Sequence, residues 1–217
     1  MATAELPRQE RLLLHDISWE TYGKLLRDLE GRRHLRLTYD RGMLEIMTLS
    51  FQHEKWAQFL GRMVVTLTEE LVLPIAEGGS TTFRRRRKQR GIESDNCYWI
   101  QNEHLVRAKK KIDLRKDPPP DLGIEADVSR SSLNRMAIYA TLRVPEVWRY
   151  KRRKLTFHVL QNTGEYAVLE ESRAFPGLRA ADLAPFLSLF EKLDVNEVIR
   201  QFRAWIRQRF GTRTPQP

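Results

Sequence analysis

Apolar positions along the chain fall into two periods, and the switches between them outline the elements. Trp19, Tyr22, Leu25, Leu26 and Leu29 recur at helical spacing behind Ser18, a side chain suited to an N-cap, and stop at Gly31, suited to a C′ position. Residues 34–39 then alternate, Asp40-Arg41-Gly42 has turn chemistry, and residues 43–47 continue, which predicts a β-hairpin. The longest helix follows, where Trp56, Phe59, Leu60, Met63, Val64, Leu67 and Leu71 hold one stripe until Pro74. A β-rich stretch over 75–83 leads into the basic run Arg84-Arg85-Arg86-Arg87-Lys88, which reads as a hairpin tip or a phosphate-contacting segment. Residues 94–100 read as a strand with Asp95 at its start, and a helix is predicted from Ser131 or Ser132 to Arg143, stopped by Val144-Pro145. Residues 145–150 and 155–160 predict two strands around the basic turn 151–154, and a third strand follows Asn162-Thr163-Gly164. Asp194, with Glu197 three residues on, opens the last helix in a capping-box pattern.

This order predicts an α/β fold with a mixed central sheet flanked by helices. One domain is expected over 1–217, with 1–16 as an N-terminal extension and 180–217 as a C-terminal helical extension. The core-periodic Trp and Tyr positions are expected to pack, and His53, His34 and His158 to be structural or at the surface.

The segment that departs from ordinary patterning is Pro120-Asp121-Leu122-Gly123-Ile124-Glu125-Ala126-Asp127-Val128. As a strand it aims Leu122, Ile124, Ala126 and Val128 at one face and Asp121, Glu125 and Asp127 at the other. Three like charges on one face repel unless something positive sits among them, and a divalent cation such as Mg²⁺, held by carboxylate oxygens, is the simplest candidate. That is the chemistry of phosphodiester hydrolysis. At ~3.3 Å per residue Asp121 lies ~13 Å from Glu125, too far to share an ion, whereas Glu125 and Asp127 are ~6.6 Å apart. Asp121 therefore reads first as an acid at the loop–strand junction. An ion network with Arg130, Arg135 or Arg149 would satisfy the acids with no metal.

Charge agrees with a polyanionic partner: 38 Lys and Arg against 28 Asp and Glu give a net charge of +10. The one cysteine, Cys97, excludes a disulfide framework and a cysteine-based zinc site. With no apolar run near the ~18 residues of a membrane span and no signal-like N-terminus, a cytoplasmic protein that does not contact membranes is expected.

Ser94-Asp95-Asn96-Cys97-Tyr98, Pro120-Asp121-Leu122-Gly123-Ile124-Glu125 and Tyr139-Ala140-Thr141-Leu142-Arg143-Val144-Pro145-Glu146-Val147-Trp148 resemble the Uma family of restriction endonucleases, similar in fold to the PD-(D/E)XK nuclease superfamily. The likeness runs over about 17–168 and includes His53-Glu54. It implies a restriction-endonuclease-like fold and a metal-dependent endonuclease that uses Mg²⁺ or Mn²⁺ to cut DNA. It puts the first metal-binding Asp at Asp95, where Ser94 replaces the usual Pro, and the second acid at Glu125, with the Ala126 carbonyl beside them. Asp121 and Glu54 are carried as second-tier candidates. The superfamily Lys two residues past the second acid is Asp127 here, which leaves Asp127 as a third ligand or moves the basic role to the next helix. Counting back four from Tyr139 places that role at Arg135, whose guanidinium cannot act as a base but can stabilise developing phosphorane charge. Arg84, Arg85, Arg86, Arg87 and Lys88 are the candidate nucleic-acid contacts, and two-fold cleavage of duplex DNA suggests a homodimer. A catalytically silent nucleic-acid-binding protein of the same fold is the alternative.

Overall fold

A chain whose alternation is interrupted by a two-residue turn folds back on itself, and the hairpin around Arg41 and Gly42 seeds the first of two sheets. Both turn residues have positive φ, as the tight hairpin turn requires. A computed structural model describes residues 10–32, 34–127 and 132–211, the side chain of Asp127 excepted. In chain order it contains β1 (Arg11–Leu14), α1 (Trp19–Asp28), β2 (Leu35–Asp40), β3 (Met43–Thr48), α2 (Phe51–Leu71), β4 (Ala76–Glu77), β5 (Thr82–Arg85), β6 (Arg90–Glu93), β7 (Asn96–Trp99) and α3 (Glu103–Val106). Then come β8 (Leu122–Asp127), α4 (Arg135–Leu142), β9 (Glu146–Lys151), β10 (Lys154–Leu160), β11 (Tyr166–Leu169), α5 (Ala180–Phe190) and α6 (Val195–Phe210).

The first sheet, β1-β3-β2-β6-β5, is antiparallel throughout. The second, β11-β10-β9-β8-β7-β4, is mixed, because β8 and β9 run parallel while the other pairs are antiparallel. It is the helix-flanked mixed sheet expected from the pattern. A parallel pair needs a long crossover, and α4 supplies it. The last passage of the chain from the first sheet to the second, between β6 and β7, takes two residues, Ser94 and Asp95.

Leu122, Ile124 and Ala126 of β8 join Leu60, Met63 and Val64 of α2, Phe190 of α5 and Phe202 and Ile206 of α6 in one apolar cluster. The C-terminal helices are therefore part of the main core rather than an appendage. The opposite face of β8 is covered too, with Tyr139 and Leu142 of α4 packing against Val147 of β9. A Cβ at Gly123 would lie 3.5 Å from the Tyr139 ring, an ordinary packing distance. Glu125 of β8 thus faces protein, as is usual for a strand in a parallel pair roofed by its crossover helix.

Ser18 caps α1 by accepting from the Thr21 amide, and Asp194 caps α6 by accepting from Asn196 and Glu197. The Glu197 carboxylate turns instead to Arg200 and Gln201. Residues 11–14, which carry no clear periodic pattern, form an edge strand on β3.

Gly91 of β6 lies against the ring of Tyr22, which stacks on Tyr39 with centroids 4.8 Å apart. A Cβ at Gly91 would stand 2.8 Å from Tyr22 Cε1, against a fully buried ring. Gly91→Ala is expected to cost about 1–3 kcal/mol by overpacking, read as a lower urea midpoint at unchanged slope.

Candidate active site

Three elements end at the place where the chain changes sheets. The first turn of α2 brings His53, the Ser94-Asp95 link brings Asp95, and the C-terminal half of β8 brings Glu125, which α4 then faces with Arg135 and Tyr139. Ser50 caps α2 by accepting from the His53 amide, which fixes where that imidazole starts. Arg135 and Tyr139 stand one helical turn apart, so both reach the same carboxylate.

Asp95 Oδ2 accepts from the Ala126 amide at 2.8 Å and lies 3.1 Å from His53 Nε2. Its Oδ1 is buried and has no hydrogen-bond partner among the described residues. Glu125 is held bidentately: Arg135 Nε donates to Oε2 and Nη2 to Oε1, both at 2.7 Å, and the Tyr139 hydroxyl also donates to Oε1. The same guanidinium donates from Nη1 to Thr38 Oγ1 at 2.7 Å and from Nη2 to the Glu93 carbonyl at 2.9 Å. Asp95, Glu125 and Arg135 are all buried.

Burial alone would lower the His53 pKa, but the Asp95 charge and hydrogen bond outweigh it, helped by Glu54 and Glu125, and raise it to about 9. His53 is therefore an imidazolium at neutral pH. Burial pushes Asp95 upward, and His53, Arg135 and the Ala126 amide more than reverse that, holding it below the usual carboxylate range. At Glu125 burial dominates, with Asp95 adding to it against the pull of Arg135, and the carboxyl is raised. Asp95 thus faces the His53 imidazolium and Glu125 the Arg135 guanidinium.

The sequence-derived candidates separate in this geometry. Asp95, Glu125 and Arg135 come together, and Asp127 closes β8 with its side chain outside the described residues. Asp121 does not join them: its Oδ2 accepts from the Ile100 and Asn102 amides at 2.8 and 3.0 Å, and its Oδ1 from Asn102 Nδ2. It fixes the turn after β7, the junction role expected for it. Glu54 is half-exposed beside the site, 3.7 Å from His53 Nδ1 and 4.0 Å from Arg36 Nη2. Among the described residues no three His, Cys, Asp or Glu side chains converge as a metal cage. Arg84 is exposed on β5, Arg86, Arg87 and Lys88 are exposed on the tight connection between β5 and β6, and Arg85 donates to the Thr141 carbonyl at the far end of α4 from Arg135. The basic run is thus a hairpin tip that lies a strand and a helix length from the carboxylates.

His53 was not expected in the site. Its signal was its place in the first turn of the long helix beside Glu54, one turn short of the core stripe. Tyr139 was legible as the i+4 neighbour of Arg135.

A mixed sheet with helices on both faces, carrying an Asp at a strand start and a Glu on the adjacent strand, defines a restriction-endonuclease-like α/β protein. Residues 19–196 match the model of the Uma2 family, described as "Putative restriction endonuclease", and the chain belongs to that family. Comparison with curated proteins gives no match. Among the described residues no helix is long and apolar enough to cross a membrane.

Proposed function

We infer that the chain is a metal-dependent endonuclease acting on DNA, with Mg²⁺ or Mn²⁺ held at Asp95 and Glu125. The observation that carries this is the Asp95 Oδ1, a buried carboxylate oxygen without a partner next to a second buried carboxylate. Such an oxygen is costly to bury unless something binds it, and a hard cation satisfies it. Two carboxylates fit the number of protein ligands Mg²⁺ commonly takes, and Glu125 Oε2, which accepts from Arg135 Nε, keeps a second lone pair for the ion, whereas Oε1 gives both of its own to Arg135 Nη2 and Tyr139. Asp127 and the Ala126 carbonyl are the further ligands the strand offers. The ion, when bound, would acidify a water and polarise the scissile phosphate.

The chain's own residues do the rest. Arg135 holds Glu125 in one orientation and keeps a fixed positive charge where a phosphorane would develop. It cannot accept a proton. His53, protonated, pins Asp95 Oδ2 and leaves Oδ1 for the ion. Asp121 and Glu54 support the site from outside, the first by shaping the loop after β7 and the second by flanking His53. Arg84 to Lys88 contribute general attraction for polyanions. The active form is a cytoplasmic homodimer, which presents two sites to the two strands.

One observation favours the alternative of a silent DNA-binding protein: both Glu125 oxygens already accept hydrogen bonds, Oε1 from Arg135 and Tyr139 and Oε2 from Arg135. An assay on supercoiled and linear duplex DNA with Mg²⁺ or Mn²⁺ separates the two. Cleavage by wild type, abolished in both Asp95→Ala and Glu125→Ala with DNA affinity kept, is the expected result. Binding without cleavage in either metal would establish the silent protein.

A further inference from the structure

The β9–β10 hairpin turns through four consecutive basic residues, Lys151-Arg152-Arg153-Lys154, with Lys151 paired to Lys154. A two-residue hairpin of this kind needs positive φ at both central positions, where Asn-Gly or Asp-Gly relieves the strain. Here Arg152 and Arg153 take φ of 49° and 65°. Bulky side chains held in the left-handed region are uncommon, and such strain concentrates where function demands the side chain.

Register fixes where this tip points. β9 runs parallel to β8 with Glu125 opposite Arg149 and Asp127 opposite Lys151, so the tip projects directly beyond the carboxylate end of β8. Beside it lies a cleft of about 520 Å³ lined by Gln52, Lys55, Trp56, Tyr150, Arg152 and Arg153. Gln52 and Lys55 flank His53 on α2, and Tyr150 stands opposite Ala126 in register. The floor is the stacked pair Trp56 and Tyr150, ring centroids 4.2 Å apart, both buried. Lys55, Arg152 and Arg153 stand exposed on the rim. One acid, Glu191, also lines the cleft and pairs with Arg153.

Resting on the nuclease reading of the neighbouring pocket, we propose that this cleft, and not the Arg84 to Lys88 run, is the track for the duplex DNA backbone flanking the scissile phosphate. Arg152 and Lys55 supply the main phosphate contacts, and Glu191 restrains Arg153 until phosphate competes for it. The β5–β6 tip is separated from the pocket by the ~10 Å length of β6 and by α4, whereas the β9–β10 tip continues the very strand pair that carries Glu125.

The test is fluorescence anisotropy with labelled duplex DNA in EDTA across a salt series, on the full chain. Arg152→Asn/Arg153→Gly should raise Tm by relieving the turn and at the same time weaken binding about tenfold, with the slope of log K against log salt shallower by about 2. Lys55→Ala should lose affinity with a slope change of about 1, and Glu191→Gln should tighten binding severalfold by removing a competing anion. A purely structural turn would show the Tm rise alone. Unchanged affinity and slope in the hairpin variant overturns the proposal, as does a larger loss in Arg86→Ala/Arg87→Ala, a tenfold preference for duplex RNA, or wild type that does not bind duplex DNA. Because binding is read without metal, wild-type binding without cleavage would refute the nuclease reading and leave the track standing.

Discussion

Arg135→Ala is expected to destabilise the fold by about 3–5 kcal/mol, the cost of leaving a buried charge without its partner. Arg135 reaches from α4 to Glu125 in the second sheet and to Thr38 and the Glu93 carbonyl in the first, so one guanidinium ties the two sheets at the point where the chain passes between them. Alanine leaves Glu125 buried beside Asp95 with the Tyr139 hydroxyl as its remaining donor. The carboxyl would then take up a proton more readily, so the penalty should shrink as pH falls. Arg135→Lys keeps the charge but not the fork, and a single ammonium cannot serve a bidentate carboxylate, a hydroxyl and a carbonyl on two sheets at once. Its loss should fall between wild type and alanine. Glu125→Leu/Arg135→Met, which removes both charges, should recover most of the stability while leaving no activity. Urea unfolding of the four proteins checks this. A cost below about 1 kcal/mol for Arg135→Ala would mean that the pair does not hold the junction.

This geometry changes what Arg135 can be said to do. From the sequence it was a stand-in for a migrated lysine or a partner for Asp127. In the structure its first duty is to Glu125, so a fall in turnover on mutation must be compared at matched folding before any of it is assigned to charge stabilisation in the reaction.

Local signals carried the fold where they were physical constraints on the backbone. Ser18 and Asp194 mark helix starts because their side-chain oxygens satisfy amides that a first turn leaves without partners, and Arg41-Gly42 marks a hairpin because the turn needs positive φ. The ladder of β8 was legible from alternation alone. The burial of Glu125 was not, since alternation says which residues share a face and nothing about what covers it, and the cover comes from α4. β1 escaped for a similar reason: four residues pair with β3 thirty or more positions away, and a short edge strand has no pattern of its own. His53 shows the limit most clearly. A histidine in a helix's first turn looks like any other until Asp95, more than forty residues on, is folded against it.

Stability in EDTA is expected to fall by on the order of 3 kcal/mol between pH 6.5 and 9 through the His53–Asp95 pair alone. The folded-state pKa of His53 is raised to about 9, above the ~6.5 of an unfolded chain, because Asp95 rewards the imidazolium more than burial penalises it. Below pH 6.5 both states carry the proton and the full contribution is present. As pH rises through 9 the folded state gives up its proton, and the pair is lost. For a chain of this length the change corresponds to roughly 6–12 °C in Tm. His53→Gln, which keeps a donor toward Asp95 but does not titrate, should start less stable at pH 6 and stay nearly level to pH 9. The subtraction of the two profiles isolates the imidazole from every other group that titrates in this range. A His53→Gln profile parallel to wild type would place the titration elsewhere and leave His53 a neutral spacer.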